Sequence, residues 1–474
     1  MLKTCTDYFY VYCRRVFTID LRALAVMRIM SGISVVLYAI IHAPERDIFL
    51  GSAGISPTLL YPSAVNWTMH LWGNGFGFWI TSLFLLQIIL GALLCLGYRT
   101  KLTTPALWIL ITSLHHANPW VLNSGDDLMR LTLFFGMFLP WGARYSLSSV
   151  PIHDSAYRSP WTVALMLQIV FLYIFAIIAK HSTPWFSGAA VYYALSEEHL
   201  ATTFGTALTH YPEILTLLTY GIFYFQHTIP FFLLSPFYTT RIRIGIVPTL
   251  AVMHIVFFIC LHIGFFSWNI IALLFIFLPA FVWDRFDAYL YRSIKQPGEK
   301  PRIPQFSIVH YAGATAVVSL IVLVNISQTS TQFNPLRSIV TPAASMFGLN
   351  QTWRIFASPY TYDGWFVMPG KTATGYIDIL RGGAPLSFER PNHIASLFPS
   401  EAWRKYLMRL EKSSTPQEFR ISFTKTMCAR WNRVPKPQHV ESLSLIYMRI
   451  TTPPPGAVPT PPRPNLLSDV VCMP

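Results

Sequence analysis

The stretch GFWITSLFLLQIILGALLCL, from Gly77 to Leu96, contains no charged residue. An α-helix rises 1.5 Å per residue, so about 20 apolar residues cross the roughly 30 Å hydrocarbon core of a bilayer. A chain inside lipid must also satisfy its own backbone hydrogen bonds, which a helix does within a single segment. The stretch therefore predicts a transmembrane helix.

The composition of the whole chain agrees with that prediction. Charged residues make up 12% of the 474 residues and hydrophobic residues 53%, whereas an ordinary globular protein has about 25% charged residues. So little charge excludes a soluble protein of this size, and so much apolar mass excludes disorder, a collagen-like repeat or a coiled coil. We therefore predict an integral membrane protein that crosses the bilayer several times.

Working outward from Gly77–Leu96, we find nine apolar segments. The third and fourth are short and form either a tilted pair or a re-entrant hairpin, so we expect about eight to nine spans. The ten-residue alternation of a barrel strand is absent, so the predicted fold is an all-α polytopic membrane helix bundle. The segments are Leu24–Ile41, Gly77–Leu96, Thr104–His116, Leu128–Trp141, Trp161–Lys180, Ile214–Ser235, Ile244–Leu261, Ser267–Trp283 and Ile308–Ile326.

The distribution of basic residues predicts the orientation. The net charge is +14, and cytoplasmic loops collect Lys and Arg. Before Ser327, the outer loops contain Arg46 as their one basic residue. This asymmetry predicts that the amino terminus lies in the cytoplasm and the carboxyl terminus outside. It also predicts that the basic surface meets the lipid bilayer rather than nucleic acid. The inner set is Lys3, Arg14, Arg15, Arg22, Arg99, Lys101, Arg144, Arg158, Arg241, Arg243, Arg285, Arg292, Lys295, Lys300 and Arg302.

The chain after Ser327 is more polar and predicts a small, mostly β, extracytoplasmic domain. Phe419–Met427 and Ser442–Ile450 alternate partly, as strands do, and Glu401–Leu410 has the pattern of a short amphipathic helix. The predicted divisions are an interfacial segment (1–20), a transmembrane domain (21–326), an extracytoplasmic domain (327–452) and a Pro-rich flexible tail (453–474).

The cysteines offer a disulfide but no metal site. Cys428 and Cys472 fall on the predicted outer side, where they either form a disulfide or remain two thiols. No spacing of Cys and His is typical of a zinc or haem site, so no metal is predicted.

Lys180, in the segment AKHSTPWFSG, is the first of four polar features in or beside the spans. Its ammonium either reaches the lipid headgroups or is desolvated, and burial lowers the pKa of a lysine so that the neutral amine can act as a base. Tyr173 and Ala176 lie on the same helical face, seven and four residues earlier.

The other three features are acidic, imidazole and guanidinium groups. In NSGDDLMR (Asn123–Arg130), Asp126 and Asp127 begin a predicted helix and Arg130 follows within pairing reach. They form either a helix cap with a local ion pair or a polar lip on an outward-opening cavity. His254 and His262 are predicted within about 80° of each other on one helix. His254 is either a buried neutral histidine bonded to a neighbouring helix, or a residue for proton transfer or quinone binding. Arg28 lies within the first predicted span, where we expect it to make a structural contact with another helix.

Several motifs together resemble one family. They are MRIMSG (Met27–Gly32), GDDLMRL (Gly125–Leu131), FLPWGARYSL (Phe138–Leu147), KHSTPWFSGAAVYYAL (Lys180–Leu195), MHIVFFICLHIGFFSW (Met253–Trp268) and FLPAFVWD (Phe277–Asp284), followed by NQTWRIFA (Asn350–Ala357) and DGWFV (Asp363–Val367). In order and spacing they resemble the bacterial type of the HTTM (horizontally transferred transmembrane domain) family. This family belongs to the superfamily of the vitamin K-dependent γ-carboxylase.

The resemblance implies roles for individual residues. Lys180, followed five residues later by Trp185, is similar to the pattern of the carboxylase's catalytic base, which deprotonates vitamin K hydroquinone. His254 resembles a histidine retained in a later helix. The carboxylase's Asn-His-Ser segment corresponds here to Ser124-Gly125-Asp126, without the histidine, so the resemblance covers the scaffold and its lysine and leaves open whether the chain is an enzyme.

Two classes of function follow. In the first, Lys180 and His254 are catalytic and act on a quinol or lipid-type substrate. Substrate-binding residues are then Asp126, Asp127, Arg130, Trp185 and His262, and a quinone or quinol is the one cofactor suggested. In the second, a non-catalytic protein binds a lipid, quinone or peptide, or supports maturation or export of a secreted product, and Lys180 pairs with Asp126 or Asp127. In both, we expect the bacterial inner membrane.

Overall fold

The computed structural model of the protein describes residues 2–55, 71–72, 77–148, 155–291, 305–433, 438–458 and 460–472. Arg292, Lys295, Lys300 and Arg302 of the predicted inner set lie outside the described residues. The chain begins with α1 (Leu2–Val16), which covers most of the predicted interfacial segment. The strand β1 (Ile19–Asp20) then pairs antiparallel with β2 (Ala156–Tyr157).

A bundle of helices follows and forms the apolar body. Asp20 caps the first of them by accepting a hydrogen bond from the backbone N–H of Arg22. The helices are α2 (Leu21–His42), α3 (Arg46–Phe49), α4 (Gly77–Leu96), α5 (Thr100–Ala117), α6 (Ser124–Gly136), α7 (Pro160–Ile178), α8 (Thr183–Phe186), α9 (Ala190–Ser196), α10 (Thr203–Leu208), α11 (Pro212–Leu233), α12 (Thr239–Cys260), α13 (Phe266–Leu274), α14 (Ala280–Tyr291) and α15 (Ile308–Ser327).

Within the described residues, five helices are long and apolar enough to cross a membrane. A sixth span exists if Phe266–Phe277 and Ala280–Tyr289, which meet at a bend of 104°, are counted as one. The predicted count of about eight to nine spans is therefore not confirmed. The five are Leu21–Phe49, Gly77–Leu96, Pro160–Ile178, Thr239–Cys260 and Ile308–Ser327.

Helices α5 and α6 explain part of the difference. Both form where short spans are predicted, but α6 is buried along nearly its whole length, from Gly125 to Gly136. A helix that is apolar all round is typical of a protein core as well as of a membrane span. Their apolar character therefore reflects packing inside the body.

Close packing in the body depends on small residues, and one buried cation ties it to a loop. A Cβ added to Gly32 of α2 would lie 2.8 Å from the carbonyl oxygen of Gly91 in α4, so the two helices touch through their backbones.

Arg28 is fully buried, and its guanidinium donates hydrogen bonds to the carbonyl oxygens of Trp141 (3.1 Å) and Tyr145, among others. The predicted structural role of Arg28 is confirmed.

The C-terminal region contains the predicted sheet, with helices packed beside it. The strand order is β3-β7-β4-β5-β6, with β8 on the other edge of β7, and all pairs are antiparallel. The helices are α16 (Asn334–Met346), α17 (Glu401–Glu411) and α18 (Gln417–Arg433), and the strands are β3 (Tyr362–Val367), β4 (Pro369–Thr372), β5 (Gly375–Asp378), β6 (Ala384–Pro385), β7 (Ser442–Thr451) and β8 (Arg463–Val471).

One predicted strand in this region is wrong. Ser442–Ile450 forms β7 and Glu401–Leu410 lies in α17, as predicted, but Phe419–Met427 lies inside α18. Phe419 and Phe423 are buried four residues apart, and so are Thr424 and Cys428, which is the spacing of a helix and not of a strand.

The predicted flexible tail (453–474) is also partly corrected. Its second half contains β8, which pairs with β7 from Arg463 to Val471. The described chain has no proline after Pro464, so its backbone N–H groups are available to a sheet. Cys472, just beyond the strand, forms a disulfide with Cys428, their Cα atoms 5.8 Å apart.

Candidate functional site

A largely apolar cavity of about 270 Å³ lies where α7, α11 and α12 meet the segment 353–356; we call it the apolar cavity. Its size approaches that of small-molecule sites, which are mostly apolar with a few polar groups. Its lining includes Tyr173, Lys180, Trp185, Gln226, His254 and Trp353.

Lys180 follows the end of α7 by two residues and lines this cavity with 6% of its surface exposed. Its Nζ donates a hydrogen bond to the Ala176 carbonyl oxygen at 3.1 Å and lies 5.2 Å from the centroid of the Trp185 ring. Among the described residues, no carboxylate pairs with it. Burial lowers the pKa of Lys180 to about 8.

Trp185 lies in α8, on the other side of the turn that follows Lys180. Pro184 stands at the start of this short helix, where its missing N–H costs no hydrogen bond. The Trp185 Nε1 donates to the Phe356 carbonyl oxygen at 2.8 Å, and the Ser182 hydroxyl donates to the Ala357 carbonyl oxygen at 3.1 Å. The lysine-tryptophan motif is thus attached to the beginning of the C-terminal region.

His254 of α12 and Tyr173 of α7 form a buried pair on the cavity wall. The Tyr173 hydroxyl and the His254 Nε2 are 3.0 Å apart, and the tautomer decides which donates. In the described part of the chain, His254 Nδ1 and the Gln226 Oε1 are buried without a hydrogen-bond partner. Buried polar atoms usually have partners, so these two atoms mark the wall as a place where a ligand can bind.

Asp126, Asp127 and Arg130 lie in a different place from Lys180. Asp126 belongs to a capping box with Asn123 at the start of α6. Arg130 donates to Asp127 at 2.9 Å and also to the Gly348 carbonyl oxygen. The cap and the local ion pair both form, and neither acid pairs with Lys180, so that part of the non-catalytic interpretation is wrong.

His262 also lies apart from the apolar cavity. Helix α12 ends at Cys260 and Leu261 is extended, so His254 and His262 do not share a helix as predicted. The His262 side chain is exposed, while its backbone N–H donates to the Leu200 carbonyl oxygen.

A second cavity, of about 430 Å³, lies between the body and α17; we call it the charged cavity. Five basic side chains (Arg354, Arg404, Lys405, Arg409, Lys412) and three acidic ones (Glu197, Glu401, Glu411) line it, together with His199. It shares Ile263, Phe266, Ile355 and Phe356 with the apolar cavity, so the two cavities have one wall in common.

A carboxylate–histidine cluster, formed by Glu197, Glu198, His199 and Asp363, joins the two parts of the chain at this cavity. The His199 Nδ1 lies 2.7 Å from Asp363, whose other oxygen accepts the Glu198 N–H at 2.5 Å. Glu197 accepts the Tyr360 N–H at 2.9 Å, and burial raises the pKa of Glu197 to about 7. Sequence reasoning missed this cluster because Asp363 is 164 residues from His199.

Among the described residues, no group of three or more His, Cys, Asp and Glu could hold a metal ion.

The sequence model of one family, described as the HTTM domain, matches residues 17–283, which is more than half of the chain. The match includes Tyr173, Lys180, Trp185, Gln226 and His254, but not α17. No curated protein and no solved structure matches the chain.

Proposed function

The chain belongs to the HTTM domain family, and from that premise we propose that it is an integral membrane protein that uses Lys180 as a base on a quinol or lipid-type substrate in the apolar cavity. The proposal includes a bacterial inner-membrane location, a cytoplasmic amino terminus and an extracytoplasmic C-terminal region, which the charge distribution between loops favours.

One observation carries the proposal: Lys180 is buried in an apolar cavity, and none of the carboxylates that the structure describes lies beside it. Such surroundings disfavour the ammonium relative to an exposed lysine and so raise the fraction of the neutral amine, which can accept a proton. After protonation, the Trp185 ring, 5.2 Å away, stabilises the new ammonium through a cation–π contact.

The proposed step transfers one proton. The quinol O–H bond breaks, its electron pair stays on the oxygen, and the proton moves to Nζ of Lys180. His254 and Gln226 offer a free ring nitrogen and a free amide oxygen on the same wall, where they can orient the ring oxygens of the quinol. The wall also includes Leu218 and Val256, which are exposed on the apolar outside of α11 and α12 and give a bilayer-dissolved ligand a route inward.

The test measures oxygen uptake by the purified protein in detergent with a short-chain quinol. The quinolate reacts with O₂ more readily than the quinol, and the overall reaction converts one quinol and one O₂ into one quinone and one H₂O₂. Lys180→Met and Lys180→Arg should each lower the protein-dependent rate by about 100-fold or more, because neither side chain accepts a proton. Lys425→Met, at an exposed lysine, is the matched control and should leave the rate unchanged.

The alternative function is non-catalytic: the protein binds a lipid, quinone or peptide, or supports maturation or export of a secreted product. In that case Lys180 serves as a cation, and Lys180→Arg retains full function while Lys180→Met does not. Full oxygen uptake by both variants refutes the proposed base.

A further inference from the structure

The charged cavity is lined by three cations from one helix. Arg404, Lys405 and Arg409 of α17 all face it. Arg404 is 6% exposed; its Nη2 donates to Glu401 and to the His262 carbonyl oxygen, and its Nε is buried without a partner among the described residues. Lys405 and Arg409 have no side-chain hydrogen bond or ion pair in the part of the chain that is described.

The carboxylates nearest these cations already have donors of their own. Asp126, which attracts Lys405, accepts the Asn123 N–H at 2.7 Å. Asp127, which attracts Arg409, accepts a hydrogen bond from Arg130 at 2.9 Å.

The other lining carboxylates are engaged in the same way. Glu197 accepts the Tyr360 N–H, Glu401 pairs with Arg404, and Glu411 accepts the Tyr362 hydroxyl. The lining has five basic and three acidic side chains, so its basic side chains outnumber its acidic ones by two.

Partly buried cations without partners are costly. Burial lowers the pKa of Lys405 to about 8, and the neighbouring Arg404 also lowers it. A bound anion would remove that cost, because it would accept hydrogen bonds from Lys405 and Arg409 and from the free Nε of Arg404.

The common wall suggests what kind of molecule carries the anion. Ile263, Phe266, Ile355 and Phe356 line both cavities. The two cavities are therefore neighbours, and a molecule with a charged head and an apolar chain that passes these four side chains would occupy both, the head against α17 and the chain beside α11 and α12.

We propose that the charged cavity binds the anionic head group, phosphate or carboxylate, of a single-chain amphiphile whose apolar chain occupies the apolar cavity. The inference depends on the proposed function only in treating the apolar cavity as a ligand site. The head-group site itself does not require Lys180 to be a base.

The test compares two single-chain lipids of equal chain length, lysophosphatidylglycerol (anionic) and lysophosphatidylcholine (zwitterionic). Binding to the purified full-length protein in neutral detergent is measured by native mass spectrometry. The wild-type protein should bind the anionic lipid at least about tenfold more tightly, since a charge-assisted hydrogen bond contributes about that factor. Lys405→Gln and Arg409→Gln, singly and together, should each reduce the preference.

The control removes the same two charge types from the neighbouring helix. Lys425→Gln with Arg430→Gln changes exposed residues of α18 outside both cavities and should leave the preference unchanged. An equal loss in this control would attribute the preference to overall surface charge and overturn the proposal. If the double cavity variant does not fold, a single variant that folds and retains the full preference also overturns it.

Two further arms identify the source of the anion and separate the two proposals. Inorganic phosphate that binds as tightly as the anionic lipid would show a site for a free anion and overturn the amphiphile. Lys180→Met should retain the lipid preference even where it abolishes oxygen uptake, so the base can fail while the head-group site stands. A lipid preference that Lys405→Gln removes, found in a wild-type protein that takes up no oxygen, would support the head-group site and refute the proposed base.

Discussion

Asp363→Asn tests the carboxylate–histidine cluster that joins the body to the C-terminal sheet. Asp363 is 1% exposed in β3, and each of its oxygens accepts one hydrogen bond across the junction. One comes from the His199 ring at 2.7 Å and the other from the Glu198 N–H at 2.5 Å. The amide of Asn has a single oxygen, so one bond is lost and an amide N–H faces a donor.

The magnitude follows from these two bonds. A hydrogen bond to a charged group contributes about 1.5–3 kcal/mol and a neutral one about 0.5–1.5 kcal/mol. Loss of one bond and weakening of the other should therefore destabilise the junction by about 3 kcal/mol. Asp469→Asn is the control, because Asp469 is exposed and its bond to Ser444 lies at the surface; its cost should be below about 0.5 kcal/mol.

The assay is chemical unfolding in detergent, followed by tryptophan fluorescence and by hydrogen exchange of the β3 backbone. Asp363→Asn should have a lower free energy of unfolding than the wild type and faster hydrogen exchange at the junction. If Asp363→Asn and Asp469→Asn cost the same, the cluster contributes nothing to holding the two parts together.

Two further predictions concern pH and the disulfide. Burial raises the pKa of Glu197 to about 7 in the folded state, whereas an unperturbed Glu has a pKa of about 4.3. The folded state therefore binds the proton more tightly than the unfolded state, and the free energy of unfolding falls as pH rises from about 4.5 to 7. Glu197→Gln mimics the protonated acid. Between pH 5 and pH 8, the free energy of unfolding of the variant should therefore rise by up to about 3 kcal/mol relative to that of the wild type. A difference between variant and wild type that is the same at both pH values would contradict the burial of an ionisable Glu197. Cys472→Ser removes the disulfide to Cys428, which closes a loop with a sequence separation of 44 residues. The loss should lower the free energy of unfolding by roughly 4 kcal/mol in the loop-entropy treatment and speed hydrogen exchange in β8. Exchange in β8 that is equally slow in the variant and the wild type would show that the strand does not need the disulfide.

The sequence was most informative where one local run decides the structure. Gly77–Leu96 is a helix with the predicted bounds, because its length and lack of charge leave no other way to satisfy its backbone in lipid. Lys180 and Trp185 come together because Trp185 follows only five positions later, and both the polar residues of the spans and the family resemblance pointed to His254.

The remainder of the site depends on contacts between distant elements. Gln226, Trp353 and Phe356 line the apolar cavity, yet nothing in their local sequence distinguishes them from core residues. The strand predicted at Phe419–Met427 failed because short partial alternation also fits one face of a helix. The span count was not confirmed because apolar composition does not separate a buried core helix such as α6 from a membrane-crossing one.

The ionisation of Lys180 in the intact protein decides whether this side chain can act as a base. The measurement uses lysine labelled with ¹³C at Cε, follows its NMR shift against pH in detergent, and assigns the Lys180 signal by its loss in Lys180→Met. The expected titration midpoint is near 8, below the ordinary lysine value of about 10.4. A midpoint at or above that ordinary value would mean that Lys180 holds its proton as tightly as an exposed lysine and would contradict its role as a base.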